Sequence, residues 1–133
     1  MRKILIIHSE EGNLKGVVQG IAEGASSNGH RVDIISTKDR NKIVTFFPYD
    51  LILTGSPTLG FFKGKIAGDI KHFLSQCKRT AGKSAIAFVT PRAFATTRAL
   101  KILMAELEKL GCIVKDFANL RNKNEAISFG KKL

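Results

Sequence analysis

Residues 49–60 read Tyr49-Asp-Leu-Ile-Leu-Thr-Gly-Ser-Pro-Thr-Leu-Gly60, a short apolar run that stops abruptly in a loop of small, hydroxyl-bearing and glycine residues. An unbroken apolar run of this length suits a parallel strand covered on both faces. In open parallel sheets ligands gather outside the carboxyl ends of the strands, so the loop after Thr54 is a candidate ligand loop. Whether it acts alone depends on the other strand ends.

Working outward, Lys3 to His8 is a second apolar strand, and Val32-Asp-Ile-Ile-Ser36 is a shorter one with the polar interruptions of a sheet edge. Between them Leu14, Val17, Val18, Ile21 and Ala25 fall at helical spacing and Asn28-Gly29 supplies a stop, which completes a βαβ unit. The strand Asp50 to Thr54 leads to a helix with Ile66, Ile70, Phe73, Leu74 and Cys77 on one face. A strand from Ser84 to Val89 precedes a helix with Leu100, Leu103, Met104, Leu107 and Leu110 in phase, ended by Gly111, and Cys112 to Phe117 is the fifth strand. Lys38 to Pro48 reads as a connection with a helical turn or two around Ile43, Val44 and Phe46. Strict alternation predicts one α/β domain over residues 1–133, a doubly wound five-stranded parallel sheet with right-handed crossovers and helices on both faces.

Residues 119–133 carry too few phased apolar residues for a long covering helix, so the last helix is expected to be short or missing. Gly16, Gly20 and Gly24 line one side of the first helix, at a cost of roughly 1 kcal/mol each relative to alanine. Packing on the sheet, a docked C-terminal tail or a subunit contact would each explain them. Taken with the under-covered sheet face, they suggest a homodimer.

The chain has 133 residues, enough for one domain with a core, and 44% of them are hydrophobic. The apolar run Ile4 to Ile7 is too short for a signal-peptide core and no other segment approaches a membrane span, so a cytoplasmic address without membrane association is expected. Cys77 and Cys112 are far apart, with no CxxC and no histidine at metal spacing, which points to buried reduced thiols and no metal site. His8, His30 and His72 are scattered singly. The outlier is the net charge of +11, which implies attraction to something anionic. Its lysines and arginines form no long run and lack aromatic interleaving, so nucleic acid is disfavoured and an acidic protein partner is the better reading.

Three loops line up at the carboxyl edge of the expected sheet: Ser9 to Lys15, Gly55 to Gly64 and Thr90 to Thr97. The first opens a helix, whose free N–H groups and dipole suit an anion such as phosphate. The second offers backbone near Gly55 and Gly60 and the apolar surfaces of Pro57, Leu59, Phe61 and Phe62, which can cover a flat ring system. The third can set Phe94 or the guanidinium of Arg92 against the other side of such a ring.

On Ile4-Leu-Ile-Ile-His-Ser-Glu-Glu-Gly-Asn-Leu14, Tyr49-Asp-Leu-Ile-Leu-Thr-Gly-Ser-Pro57 and Phe88-Val-Thr90, the chain resembles the flavodoxin-like family, over nearly its whole length to about Phe117. The resemblance implies strand order 2-1-3-4-5, non-covalent FMN and electron transfer through the flavin, with an electron carrier favoured over a turnover enzyme. It assigns cofactor binding to Ser9, Glu10, Glu11, Gly12, Asn13, Leu14 and Lys15 on the phosphate side. On the ring side it assigns Ser56, Pro57, Thr58, Leu59, Gly60, Phe61, Thr90, Pro91, Arg92 and Phe94. It also implies a redox partner protein, acidic if the basic surface docks it.

This sequence departs from the family at several points. Glu10 and Glu11 put carboxylates where hydroxyls are usual, Leu14 replaces a threonine, the charge is basic rather than acidic, and tryptophan is absent. The alternative is a flavodoxin-like domain without FMN that acts as a protein-interaction module through its basic surface. A flavin reductase would need room for a nicotinamide over the flavin, which no residue certifies. A phosphoacceptor domain would need an aspartate at the third strand end, where Leu53-Thr54 stands, and a hydrolase triad lacks its Gly-x-Ser-x-Gly elbow.

Overall fold

The computed structural model describes residues 1–39 and 43–133. The strands are β1 (Lys3–His8), β2 (Arg31–Ser36), β3 (Leu51–Pro57), β4 (Ser84–Thr90) and β5 (Ile113–Asn119), and the helices are α1 (Lys15–Ser27), α2 (Gly68–Ser75), α3 (Thr96–Lys109) and α4 (Lys123–Lys131). All pairings are parallel, in the order β2-β1-β3-β4-β5. The order follows from the apolar content: β1, β3 and β4 are buried along most of their length, while β2 and β5 are the partly exposed edges.

β3 runs three residues further than its apolar stretch, because Gly55, Ser56 and Pro57 still pair with Phe88, Val89 and Thr90. Gly55 is therefore strand rather than ligand loop, and the space where its Cβ would stand is taken by the Phe88 ring, at 2.1 Å. The connection after β2 also differs from its reading. Residues 40–42 lie outside the described segment, and the rest forms no helical turn around Ile43, Val44 and Phe46. Instead Thr45 bridges Lys78 in parallel, the Phe46 N–H donates to the Lys78 carbonyl at 3.0 Å, and Phe46 is fully buried.

Two cores flank the sheet. On one face α2 and α3 bury Ile70, Leu74, Leu100, Leu103 and Leu107 against Leu5, Ile52 and Ala87. On the other, α1 and α4 bury Val17, Val18, Ile21 and Ala126 against Ile4, Ile6, Leu53 and Phe88. α4 is short, as expected, but it exists because its start is well capped: the Asn122 side chain accepts from the Glu125 N–H at 2.9 Å, and the Glu125 carboxylate accepts from the Arg121 N–H.

Close approach, rather than a broad apolar stripe, holds α4 in place. A Cβ on Gly24 would stand 2.2 Å from the Ile127 carbonyl oxygen, one on Gly20 would stand 2.7 Å from that of Lys123, and one on Gly130 would stand 2.3 Å from that of Ile21. Gly20 and Gly24 thus serve a docked C-terminal tail, while Gly16 meets nothing within 4 Å. His30 adds a staple. Its Nδ1 accepts from the Arg2 N–H, which leaves Nε2 to donate to the Leu133 carbonyl at 2.9 Å. No helix among the described residues is long and apolar enough to cross a membrane.

Candidate functional site

The second and third loops are joined into one body. After Thr58 the chain turns back on itself through paired Leu59–Lys65 backbone hydrogen bonds of 2.9 Å, with Gly60 at φ +83° to permit the turn. The buried Ser56 hydroxyl accepts from the Ala67 N–H at 2.9 Å and donates to the Pro57 carbonyl, so it anchors the far side of this loop rather than facing outward. Gly64 then lies directly on the 3₁₀ turn Ala93–Ala95, where a Cβ would stand 2.0 Å from the Ala95 carbonyl oxygen.

That contact brings three phenylalanines together at the sheet edge. Phe62 and Phe94 are parallel within 1° with centroids 6.0 Å apart, and Phe61 stands edge-on to both, at 4.8 Å from Phe62 and 6.4 Å from Phe94. They are 53% (Phe61), 72% (Phe62) and 78% (Phe94) exposed, a concentration of aromatic surface that packing alone does not call for. Arg92 is exposed beside them and its N–H is held by the Thr96 hydroxyl. Ala93 occupies the left-handed region at φ +43°, which a residue with a Cβ seldom adopts and which marks a constrained turn. The Thr58 hydroxyl is buried without a partner at the root of the second loop, and its N–H is held by the Thr90 carbonyl.

The first loop is built differently. Gly12, at φ +71°, packs so closely on Pro57 that a Cβ would meet the proline ring at 2.8 Å, which seats the loop against the end of β3. Its first donors, the Ser9 hydroxyl and the Glu10 and Glu11 amides, are taken up within the chain. The Ser9 hydroxyl donates to Asp69 Oδ1 at 2.6 Å and accepts from the Glu11 N–H at 3.0 Å, while the Glu10 N–H donates to Asp69 Oδ2 at 3.0 Å. Thr37, at the end of β2, adds a third donor to Asp69, at 2.8 Å. Burial pushes the Asp69 carboxyl upward, but the Ser9 and Thr37 hydroxyls and the Glu10 and Ile70 amides outweigh it and hold the group below its ordinary value. The Glu10 side chain turns away toward β2, where the Ser36 hydroxyl donates to it and Lys38 lies 4.0 Å off, and these also lower its pKa. Glu11, Asn13 and Lys15 are exposed, and Leu14 is buried in the core.

Asp69 is the residue that sequence reasoning missed. Its only sequence signal is position, in the first turn of α2, where the helix dipole favours an anion. A cavity of about 610 Å³ opens beside it, lined by Thr37, Asp39, Val44, His72, Phe73 and Gln76, and by none of Phe61, Phe62 and Phe94. Neither cysteine is an activated nucleophile: burial pushes Cys77 up to about 12 and raises Cys112 as well, and both are free thiols.

This geometry was compared with known proteins. No protein-family model and no curated protein matches the chain. Among solved structures, two-electron reduced Megasphaera elsdenii flavodoxin superposes with a TM-score of 0.73 at 18% identity over 98% of this chain and 99% of that one. The chain has the flavodoxin fold. Oxidised flavodoxin 1 from Bacillus cereus is similar at a TM-score of 0.70 and 20% identity, over 96% of this chain and 94% of that one. A Fusobacterium nucleatum flavodoxin bound to flavin mononucleotide is similar at a TM-score of 0.61 and 16% identity, covering 86% of this chain and 70% of that one. At these identities the flavodoxin likeness speaks for the fold, and the site must be argued from its own residues.

Those residues divide the site in two. The ring side fits a flavin: parallel aromatic faces, an unpartnered buried hydroxyl, and two loops whose backbone lies at the same sheet edge. On the side of the first loop, a carboxylate already accepts from two of the donors, the Ser9 hydroxyl and the Glu10 amide.

Proposed function

We propose that this chain is an electron-transfer protein that binds a flavin non-covalently through its ring system. The observation that carries this reading is the Phe62–Phe94 pair, parallel and exposed on two loops that Gly64 locks together beside the unpartnered Thr58 hydroxyl. Both rings are largely exposed, so a planar ligand can lie against a free face in the offset arrangement that aromatic pairs favour, without parting the two loops. A bound flavin supplies the redox chemistry itself. The contribution of the protein is to orient the ring with Phe62 and Phe94 and to border it with Leu59 and Phe61. FMN, which the Fusobacterium nucleatum flavodoxin holds, is the flavin the fold suggests. Its ring matches the residues here, while its phosphate would meet a first loop whose Ser9 hydroxyl and Glu10 amide already serve Asp69.

The surroundings favour an acidic redox partner. Lys63, Lys65, Arg92 and Arg98 are exposed around the aromatic group, on a chain of net charge +11. The same surface supports a second reading, a flavin-free module that docks an acidic protein through the phenylalanines.

Fluorescence titration of riboflavin and FMN separates the two. Quenching on addition of protein, weakened roughly fivefold by Phe94→Ala in line with a stacking contribution of about 1 kcal/mol, is the expected result. Absence of quenching with either flavin at millimolar protein would sink the cofactor reading and leave the docking module.

A further inference from the structure

The first loop holds a negative group of its own. Asp69 reaches across from α2 and accepts from the Ser9 hydroxyl and the Glu10 amide, and the Ser9 oxygen in turn holds the Glu11 amide. These donors belong to the loop that opens α1, where the oxygens of a ligand phosphate would otherwise be received. The third partner, Thr37, is itself buried and stands just past the end of β2, so the half-buried carboxylate is held from two other segments of the chain. The Glu10 carboxylate turns away to Ser36 and Lys38, and the Glu11 side chain is exposed, so Asp69 is the carboxylate that takes the loop's donors.

We infer that Asp69 is a built-in occupant of the phosphate loop, a specificity-determining residue that makes the site select a flavin by its ring and take no affinity from a terminal phosphate. The ligand class that follows is a flavin with an uncharged ribityl end, of which riboflavin is the simplest. FMN binds no more tightly than riboflavin, because its dianion must either displace Asp69 from three donors or remain in solvent beside that like charge.

The inference rests on the flavin reading, and the test separates the failure of each. Dissociation constants for riboflavin and FMN are measured by fluorescence for the wild type, Asp69→Asn, Asp69→Ala and Glu11→Gln. The expected result is a wild-type ratio within threefold of unity. Asp69→Ala tightens FMN at least tenfold, Asp69→Asn does so in the same direction, riboflavin is unchanged, and Glu11→Gln changes FMN less than threefold. A wild type that prefers FMN by more than tenfold overturns the inference. So does an Asp69 variant that tightens both flavins equally, or a Glu11→Gln effect as large as that of Asp69→Asn.

Should neither flavin bind, the cofactor reading fails and Asp69 is judged on inorganic phosphate alone, by the backbone amide resonances of Glu10 to Leu14. Signals that stay still in the wild type and move in Asp69→Ala at the same phosphate concentration support the internal occupant. Equal shifts in both proteins, or none in either, overturn it.

Discussion

The bare face of Gly64 rests on the carbonyl oxygen of Ala95, close enough that a Cβ there would stand 2.0 Å away. The second and third loops are thereby one structure, and the mutual position of Phe62 and Phe94 is a product of that contact. Gly64→Ala must separate the loops by an ångström or more. It is expected to lower stability by about 1–3 kcal/mol, as overpacking does, and to weaken flavin binding beyond what that loss explains. Urea unfolding and flavin titration of the same preparation check both; unchanged flavin affinity in a folded variant would detach the phenylalanine pair from the glycine.

The Thr58 hydroxyl is buried without a partner, and so is that of Thr54 inside β3. Removing an unsatisfied buried hydroxyl at constant shape relieves a penalty of about 1–3 kcal/mol, so Thr54→Val and Thr58→Val should each raise the unfolding free energy of the flavin-free protein. They should differ with flavin present. Thr58 sits at the root of the ring loop, and its valine variant is expected to lose several-fold in flavin affinity, whereas Thr54→Val loses none.

Three glycines of α1 should respond in opposite directions to one change. Gly16 has nothing within 4 Å of its missing Cβ, so Gly16→Ala should stabilise by up to about 1 kcal/mol through helix propensity alone. Gly20→Ala and Gly24→Ala gain the same propensity but press on α4, at 2.7 Å from the Lys123 oxygen and 2.2 Å from that of Ile127. A net loss is expected for both, larger at Gly24, where the nearest atoms are all backbone. Thermal denaturation of the three variants gives the order directly.

Acid unfolding should report the enclosed carboxylate. Asp69 is held below its ordinary pKa in the folded protein, so its contribution to stability is present above the unfolded value near 4 and is lost as pH falls through the lower folded value. Glu10, whose pKa is lowered by the Ser36 hydroxyl ahead of Lys38, His8 and Lys15, acts in the same direction but stays ionisable in an Asp69 variant. The wild type should therefore lose stability more steeply than Asp69→Asn below about pH 4. Parallel curves of urea midpoint against pH for the two proteins would show that Asp69 titrates as it does in the unfolded chain.

How far these features could be read from the sequence depended on whether the signal was periodic or pairwise. The apolar runs at Ile4, Leu51 and Ser84 marked the central strands, because burial on two faces leaves an unbroken stretch, and the polar interruptions after Val32 marked one edge, while the strand order came with the family resemblance. The end of β3 was harder: Gly55-Ser-Pro57 has loop chemistry, yet it pairs with β4 because Phe88 fills the space above Gly55. α4 was half visible for a similar reason, since its packing rests on backbone contact at Gly130 rather than on phased side chains. At the site, Phe61 and Phe94 could be named from their loops, but the Phe62–Phe94 alignment depends on Gly64 meeting Ala95, two residues 31 positions apart. Asp69 lay 60 residues from Ser9, and no spacing rule connects an aspartate in one helix to a serine beside another.

The enclosure of Asp69 also sets the size of the smallest part that can be exchanged between this protein and a phosphate-binding flavodoxin. A hydroxyl-rich loop grafted onto residues 9–14 would arrive facing Thr37 and Asp69, which would claim its first donors as they claim those of Ser9 and Glu10. The transplantable unit is therefore three segments, the ends of β1 and β2 and the first turn of α2.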